Sequence, residues 1–319
     1  MTRPGSLPAD EPTPERYANP LVRGFAATRP AFLSVTLVAC LIGVAAAYAD
    51  GVAVNTLTAA VTVIAALLAH AASNVINDYH DAASGADAGN TRRVFPFTGG
   101  SRFIQNGVMS ARHTAMLGYG LLAAVIPAGL WLSMVSGPAL LLIGLAGLTL
   151  GWAYSAPPPH LVARGLGELV IAACWLLVVV GADFVQRGAF AWTPVAAGLS
   201  FALLVANLLY INQFPDHDSD AAAGKRTVVV RLGPERAKWG YFGITLIAYA
   251  WLVLQVGRDN LPQVCAAAAI TITLSLNAAR QLREHANEPE ALAPAIKLTI
   301  GAALAHGLLL AATLAFNWR

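Results

Sequence analysis

The sequence predicts an all-α, polytopic membrane protein with nine transmembrane helices, the N-terminus in the cytoplasm and the C-terminus outside. Three observations predict it. The 319 residues are 57% hydrophobic and only 12% charged, about half the charge of an ordinary soluble domain. The apolar residues fall in stretches of about twenty, the length a helix needs to cross a bilayer. Lys and Arg gather in alternate connections, as positive-inside topology requires. No single soluble core hides so much apolar surface behind so few charges. The composition therefore argues against a soluble enzyme, a disordered chain, a disulfide scaffold and a free nucleic-acid binder, and it calls for no nucleic-acid partner.

Residues 1–28 are polar, rich in Pro and mixed in charge, which predicts a flexible cytoplasmic tail ahead of a single transmembrane domain over 29–319. The spans follow at 30–49, 54–77, 114–134, 138–155, 164–182, 191–213, 238–256, 261–280 and 295–316. The charge-free run 114–163 is too long for one crossing, and Ser136-Gly137-Pro138 divides it. The fifth span carries Glu168, predicted to pair with Arg164 one turn back. Strand periodicity is absent, and the segments are too long for barrel strands. With the N-terminus inside, seventeen of the twenty Lys and Arg are cytoplasmic; Arg187, Arg258 and Arg319 are outside. A missed or invented helix would scramble this alternation. The expected location is the inner membrane, as a multi-pass protein among its lipids. Cys40, Cys174 and Cys265 each lie in an apolar run and read as small buried hydrophobes.

Two connections are long, 78–113 and 214–237, and both fall on the cytoplasmic side, where long loops are usually functional. Asp78, Asp81 and Asp87 lie in the first; Asp216, Asp218 and Asp220 lie in the second. Asn212, Asp216 and Asp220 are four apart, so on a helix an amide and two carboxylates share one stripe. Asn77 and Asp81 repeat that step. Position 85, where the pattern asks for Asp, is Gly, and Asp87 follows two residues later. Pro215 places a kink within the second pattern. Carboxylates at helix C-termini oppose the helix dipole and are costly near hydrocarbon, so a positive partner is required. Magnesium suits such sites because it takes hard oxygen ligands and bridges carboxylates to phosphates. Two facing patches could hold two such ions around one diphosphate. Lys225, five residues after Asp220 and beside Gly224, is the best basic partner; most other loop Arg residues serve as positive-inside anchors. His80 and His217 read as solvated loop histidines.

These residues resemble the UbiA superfamily of intramembrane prenyltransferases. The resemblance is carried by NDYHDAASGAD at 77–87, YSAPPPHLVARGLGE at 154–168, NQFPDHDSDAAAGKRTVVVRLG at 212–233 and TRPAFLSVTLVACLIGVA at 28–45. It spans about 28–235; the last three helices match only in hydropathy. Within the superfamily, the GAD ending of the first motif, TGGSR at 98–102 and FPD with AGKRT are most similar to the MenA-like branch, the 1,4-dihydroxy-2-naphthoate prenyltransferases. The resemblance implies nine helices around a central lateral cavity with cytoplasmic cap loops, two magnesium ions, a polyisoprenyl diphosphate donor and an aromatic quinone-precursor acceptor. It implies metal ligation by Asn77, Asp81, Asp87, Asn212, Asp216 and Asp220, with Asp87 standing in for position 85. It implies substrate-binding roles for Arg29, Asp78, Arg93, Arg164 and Lys225, and places Tyr154 either facing the allylic carbon or as an interfacial anchor. Other acceptors of the superfamily, such as 4-hydroxybenzoate, homogentisate or heme, stay open. A CDP-alcohol phosphatidyltransferase fits less well, because its first motif needs Gly directly after the second Asp, and Ala82 follows Asp81 here. A secondary transporter would place its acids near the midplane.

Overall fold

The chain enters through a short helix, α1 (Pro20–Ala27), whose cap Asn19 accepts hydrogen bonds from the amides of Leu21 and Val22. The computed structural model describes residues 11–316 and is helical, with no strand among those residues. A 3-10 turn leads into α2 (Ser34–Ala49). Then come α3 (Thr56–Ser84), α4 (Ala86–Gly89), α5 (Ala111–Ser136), α6 (Leu140–Ser155), α7 (Gly167–Arg187) and α8 (Thr193–Ala222). After the short α9 (Val228–Leu232) and α10 (Pro234–Gly257), a 3-10 stretch over Gln263–Thr271 runs into α11 (Ile272–His285), and α12 (Ala293–Ala315) follows. Among the described residues, seven segments are long and apolar enough to cross a membrane: Pro30–Ala49, α3, α5, α7, α8, α10 and α12. The apolar α6 is shorter, at 16 residues.

Two corrections to the sequence expectations concern the site. The acidic motifs lie on helices, not in loops. α3 has 29 residues and α8 has 30; at about 1.5 Å per residue each is roughly 43–45 Å long, well beyond a hydrocarbon core of about 30 Å. The surplus turns carry the acids past the apolar length. Helix α8 runs through Pro215, which is buried inside it. His80 and His217 are likewise on α3 and α8. The second correction is the tail. Residues 1–10 lie outside the described residues, but 11–28 fold onto the loop after α4. Ala27 is buried with Phe103 and Val108, and Tyr17 and Ala26 pack against them. Glu11 is fully covered beside Arg93. A buried carboxylate with a cationic partner gives this segment a fixed place that its polar composition conceals.

Helix α8 is the central post. It packs on α7, α10, α12 and α2. Polar side chains tie it to α10: Asn207 Nδ2 donates to the Tyr241 carbonyl (3.1 Å) and Thr245 Oγ1 (2.9 Å), and the Tyr210 hydroxyl donates to the Ala237 carbonyl (2.7 Å). In lipid, where apolar burial drives helix association little, such bonds and close packing hold helices together. The last helices therefore buttress α8, while α2, α3 and α5–α7 leave a cavity against its other side.

Candidate active site

That cavity has a volume of about 670 Å³. One end is apolar, with Leu132, Leu140, Ile143 and Val185 in its wall. At the other end, Asn77, Asp81, Asp87, Asn212, Asp216 and Asp220 all reach it, together with Lys225 and Tyr154. The four-residue steps explain why: successive turns of α3 and of α8 each present one stripe, and the two stripes meet.

Lys225 joins them. Its ammonium lies 2.7 Å from Asp81 Oδ1 and 3.4 Å from Asp220 Oδ1. Burial alone pulls the Lys225 pKa down, but the Asp81 and Asp220 carboxylates outweigh it and hold it above the ordinary lysine value. Asn77 Nδ2 donates to Asp81 Oδ2 (3.1 Å) and to Ser155 Oγ of α6 (2.8 Å), orienting the first stripe. Asn90 Nδ2 donates to Asp216 Oδ1 (2.5 Å), bridging the loop after α4 to the second.

Gly85 ends α3 in the left-handed conformation (φ 79°). The chain turns there, and α4 brings Asp87 back to the cavity. Burial, and then the neighbouring Asp81 and Asp78 carboxylates, push the Asp87 pKa up to about 8. Arg102 Nη1 donates to the Asp87 carbonyl (2.5 Å). Gly100, at φ 71°, passes so close that a Cβ would sit 3.0 Å from Asp78 Oδ1 and collide with the Asp87 carboxylate.

Not every expected site residue is in the cavity wall. Asp78 is buried, is absent from the cavity lining, and accepts from the Ser101 amide (3.2 Å), which ties the loop to α3. Arg93 also lies outside the wall: its guanidinium bonds Glu11 Oε1 (Nε, 2.7 Å) and the Asn90 carbonyl (Nη1, 2.7 Å). Arg164 is exposed and donates to the Pro158 carbonyl (2.9 Å). Its predicted partner Glu168 instead accepts from Gln213 of α8. Arg29 does reach the cavity; it donates to the Phe97 carbonyl (3.3 Å) and lies over the Phe32 ring. His80 contacts the Tyr119 hydroxyl (3.3 Å) and His217 contacts Asp218 (2.8 Å); neither lines the cavity. Sequence spacing missed Asn90, Ser155 and Glu11. None belongs to a periodic pattern, and each acts through a contact more than seventy positions away in the chain.

Among the described residues, no three His, Cys, Asp or Glu side chains close on one point, so there is no metal cage made of such side chains alone. The donor set still fits magnesium, which commonly uses one or two carboxylates with water and substrate phosphate. Asn212 Oδ1 is a buried oxygen with no hydrogen-bond partner, at the same end of the cavity as the carboxylates.

A profile of the UbiA prenyltransferase family matches residues 36–300. The chain is 29% identical over 245 residues to the 1,4-dihydroxy-2-naphthoate octaprenyltransferase of Mycobacterium tuberculosis, spanning 76% of this chain and 80% of that one. It is 26% identical over 304 residues to the 2-carboxy-1,4-naphthoquinone phytyltransferase of Synechocystis, spanning 92% of each. Among solved structures, a UbiA homolog from Aeropyrum pernix superposes with a TM-score of 0.67 at 18% identity, covering 86% of this chain and 96% of that one. One from Archaeoglobus fulgidus, bound to DMAPP and Mg2+, superposes with a TM-score of 0.63 at 18% identity, covering 91% and 99%.

Proposed function

Because the chain belongs to the UbiA prenyltransferase family, we propose that it transfers a prenyl group from a polyisoprenyl diphosphate to an aromatic quinone precursor and releases diphosphate. The acceptor best supported is 1,4-dihydroxy-2-naphthoate, since relatives spanning most of the chain act on naphthoate compounds by name. One observation carries the reading: two Asn/Asp stripes and a buried lysine meet at the polar end of a cavity that is otherwise apolar.

Asp81, Asp216 and Asp220, with Asn77 and Asn212, would hold magnesium, and Asp87 is in reach of the same end. When bound, that ion takes up negative charge developing on the leaving diphosphate. Lys225 supplies a fixed positive charge for diphosphate oxygens. The apolar wall excludes water, which would trap a prenyl cation. The allylic C–O bond breaks with its electron pair going to diphosphate, a ring carbon of the acceptor bonds to the freed prenyl carbon, and that ring carbon then gives up its hydrogen as a proton, restoring the aromatic ring. Tyr154 lines the same cavity, and its ring would stabilise the developing cation.

We further propose nine crossings, with α6 and the Gln263–His285 segment completing the seven longer spans. The charge asymmetry supports an N-in, C-out orientation in the inner membrane, with 29–319 as one unit. A C-terminal reporter active only outside the cytoplasm tests this; a cytoplasmic signal contradicts it. For the activity, detergent-purified protein is given a long isoprenyl diphosphate and 1,4-dihydroxy-2-naphthoate. Magnesium-dependent release of pyrophosphate with a prenylated product mass is expected, and a chelator should abolish it. Accumulation of unchanged solute in sealed vesicles, without product, would point to transport instead.

A further inference from the structure

We propose that His70 and Trp175 seat the oxygen substituents of the aromatic acceptor, deeper in the cavity than the diphosphate end. This rests on the prenyl-transfer reading and names where its second substrate binds. His70 lies on α3 seven residues before Asn77, so it falls on nearly the same stripe, roughly 10 Å further along the helix. It lines the cavity, as does Trp175 of α7. The two rings meet edge to face, with centroids 5.0 Å apart and planes at 88°.

The hydrogen-bonding inventory singles this pair out. Thr36 Oγ1, on α2, takes up His70 Nδ1 at 2.8 Å. Thr36 is itself almost fully buried, so the imidazole is pinned and Nε2 is its remaining polar atom. Trp175 Nε1 is a buried N–H with no hydrogen-bond partner. Val35, Ala66, Ile171 and Val178 supply apolar wall, with Ser73 and Asn74 one turn along α3 toward Asn77. A buried donor without a partner is costly, and ligand pockets use a few such groups in an apolar wall to fix orientation. The prenyl chain has no oxygen to offer. The diphosphate belongs with Lys225 and the carboxylates. The remaining substrate is a flat ring carrying hydroxyl or carboxylate oxygens, which suits one aromatic corner with two polar atoms.

The test is binding, independent of turnover. The full chain in detergent is dialysed against 1-hydroxy-2-naphthoate, a probe that resists oxidation, with protein-free micelles as the blank. Saturable binding is expected, weakened tenfold or more in His70→Phe, which keeps a ring and removes the polar atoms. His70→Gln should stay within threefold. Methylating the probe's hydroxyl should weaken binding to the wild type and have no further effect on His70→Phe. Trp175→Phe should weaken binding less. Wild-type gel-filtration profiles and thermal unfolding midpoints in all three variants exclude misfolding as the cause. No saturable binding to the wild type, or equal binding by His70→Phe, overturns the proposal. A wild type that binds in this way yet forms no prenylated product overturns prenyl transfer and leaves the seat standing.

Discussion

The two acidic motifs look alike in sequence and are built differently. The second is one object: Asn212, Asp216 and Asp220 lie on a continuous helix that α10 and α12 clamp from behind. Helical repeat sets its spacing, and the first loop touches it only at its side chains, through Asn90 on Asp216 and the Phe97 carbonyl on Asn212. The first is assembled from three parts. Asn77 and Asp81 end α3, Asp87 returns on α4 after the break at Gly85, and the loop through Gly100 and Arg102 holds Asp87 in place. Its geometry depends on tertiary contacts, including one from Glu11 near the N-terminus. The difference teaches that residues which never touch substrate should matter more on the first side than on the second.

The largest effect should erase the asymmetry. Asp81→Ala and Asp216→Ala each remove a carboxylate from the shared end of the cavity, and Lys225 then loses its nearer carboxylate or Asn90 its acceptor. Loss of transition-state charge stabilisation on this scale costs about a hundredfold to a thousandfold in kcat. Both variants should reach the membrane at normal levels. Prenyl-transfer assays on purified protein check this; near-normal turnover in both would remove the metal-site reading.

A glycine pair exposes the asymmetry directly. Gly100→Ala drives a methyl group against the Asp87 and Asp78 carboxylates, and displacing a catalytic group by about 1 Å costs on the order of a hundredfold. Gly224 has the same left-handed backbone (φ 78°) next to Lys225, but nothing lies within 4 Å of an added Cβ. Gly224→Ala should cost only backbone strain, about 1 kcal/mol, with activity within about threefold. Equal losses in the two variants would show that the loop does not set Asp87.

These expectations also mark what could be read from the chain alone. The apolar stretches, the four-residue ladders and the family were legible because each depends on local periodicity or short spacing. So was Lys225, five residues from Asp220. The motifs end by residue 235, although the family match itself runs on to residue 300, and beyond the motifs the helices stop lining the cavity and become support for α8; support needs apolar surface and little else. Hidden from the sequence were the helical overshoot, since charge ends a hydropathy reading before it ends a helix, and every contact across the long loop. Arg93 looked free for phosphate because its partner, Glu11, lies 82 positions away.

Glu11→Ala therefore probes the assembled side from its far edge. The carboxylate accepts from Arg93 and from Asn106 Nδ2 (3.0 Å), and approaches Arg102 Nε at 3.9 Å. Removing one partner of a buried pair destabilises by about 3 kcal/mol. The loop should become susceptible to proteolysis between Asn90 and Asn106, and kcat should fall about tenfold through Asp87. Glu11→Gln, which keeps a hydrogen-bonding oxygen, should recover part of both. Limited proteolysis and steady-state rates on the same preparations check it. A tenfold rate loss without any change in proteolysis would mean that Glu11 acts on substrate and not on the loop.

The smallest effect belongs to the two histidines inside the motifs. His217 pairs with Asp218, which is the most exposed carboxylate of the second motif at 72% of its side-chain surface, and pairs of this kind contribute about 0–1 kcal/mol. His80 contacts the Tyr119 hydroxyl and meets the Tyr79 ring edge to face, and it does not line the cavity. His217→Ala and His80→Ala should each leave kcat/KM within about twofold of the wild type. Their indifference would sharpen the contrast, because His80 sits on the assembled side one residue from Asp81. Sensitivity on that side should follow contacts to the loop, not proximity in sequence. A large loss in His80→Ala with His217→Ala unaffected would show that the α3 stripe reaches substrate through a second face, and the three-part account of the first motif would need a fourth part.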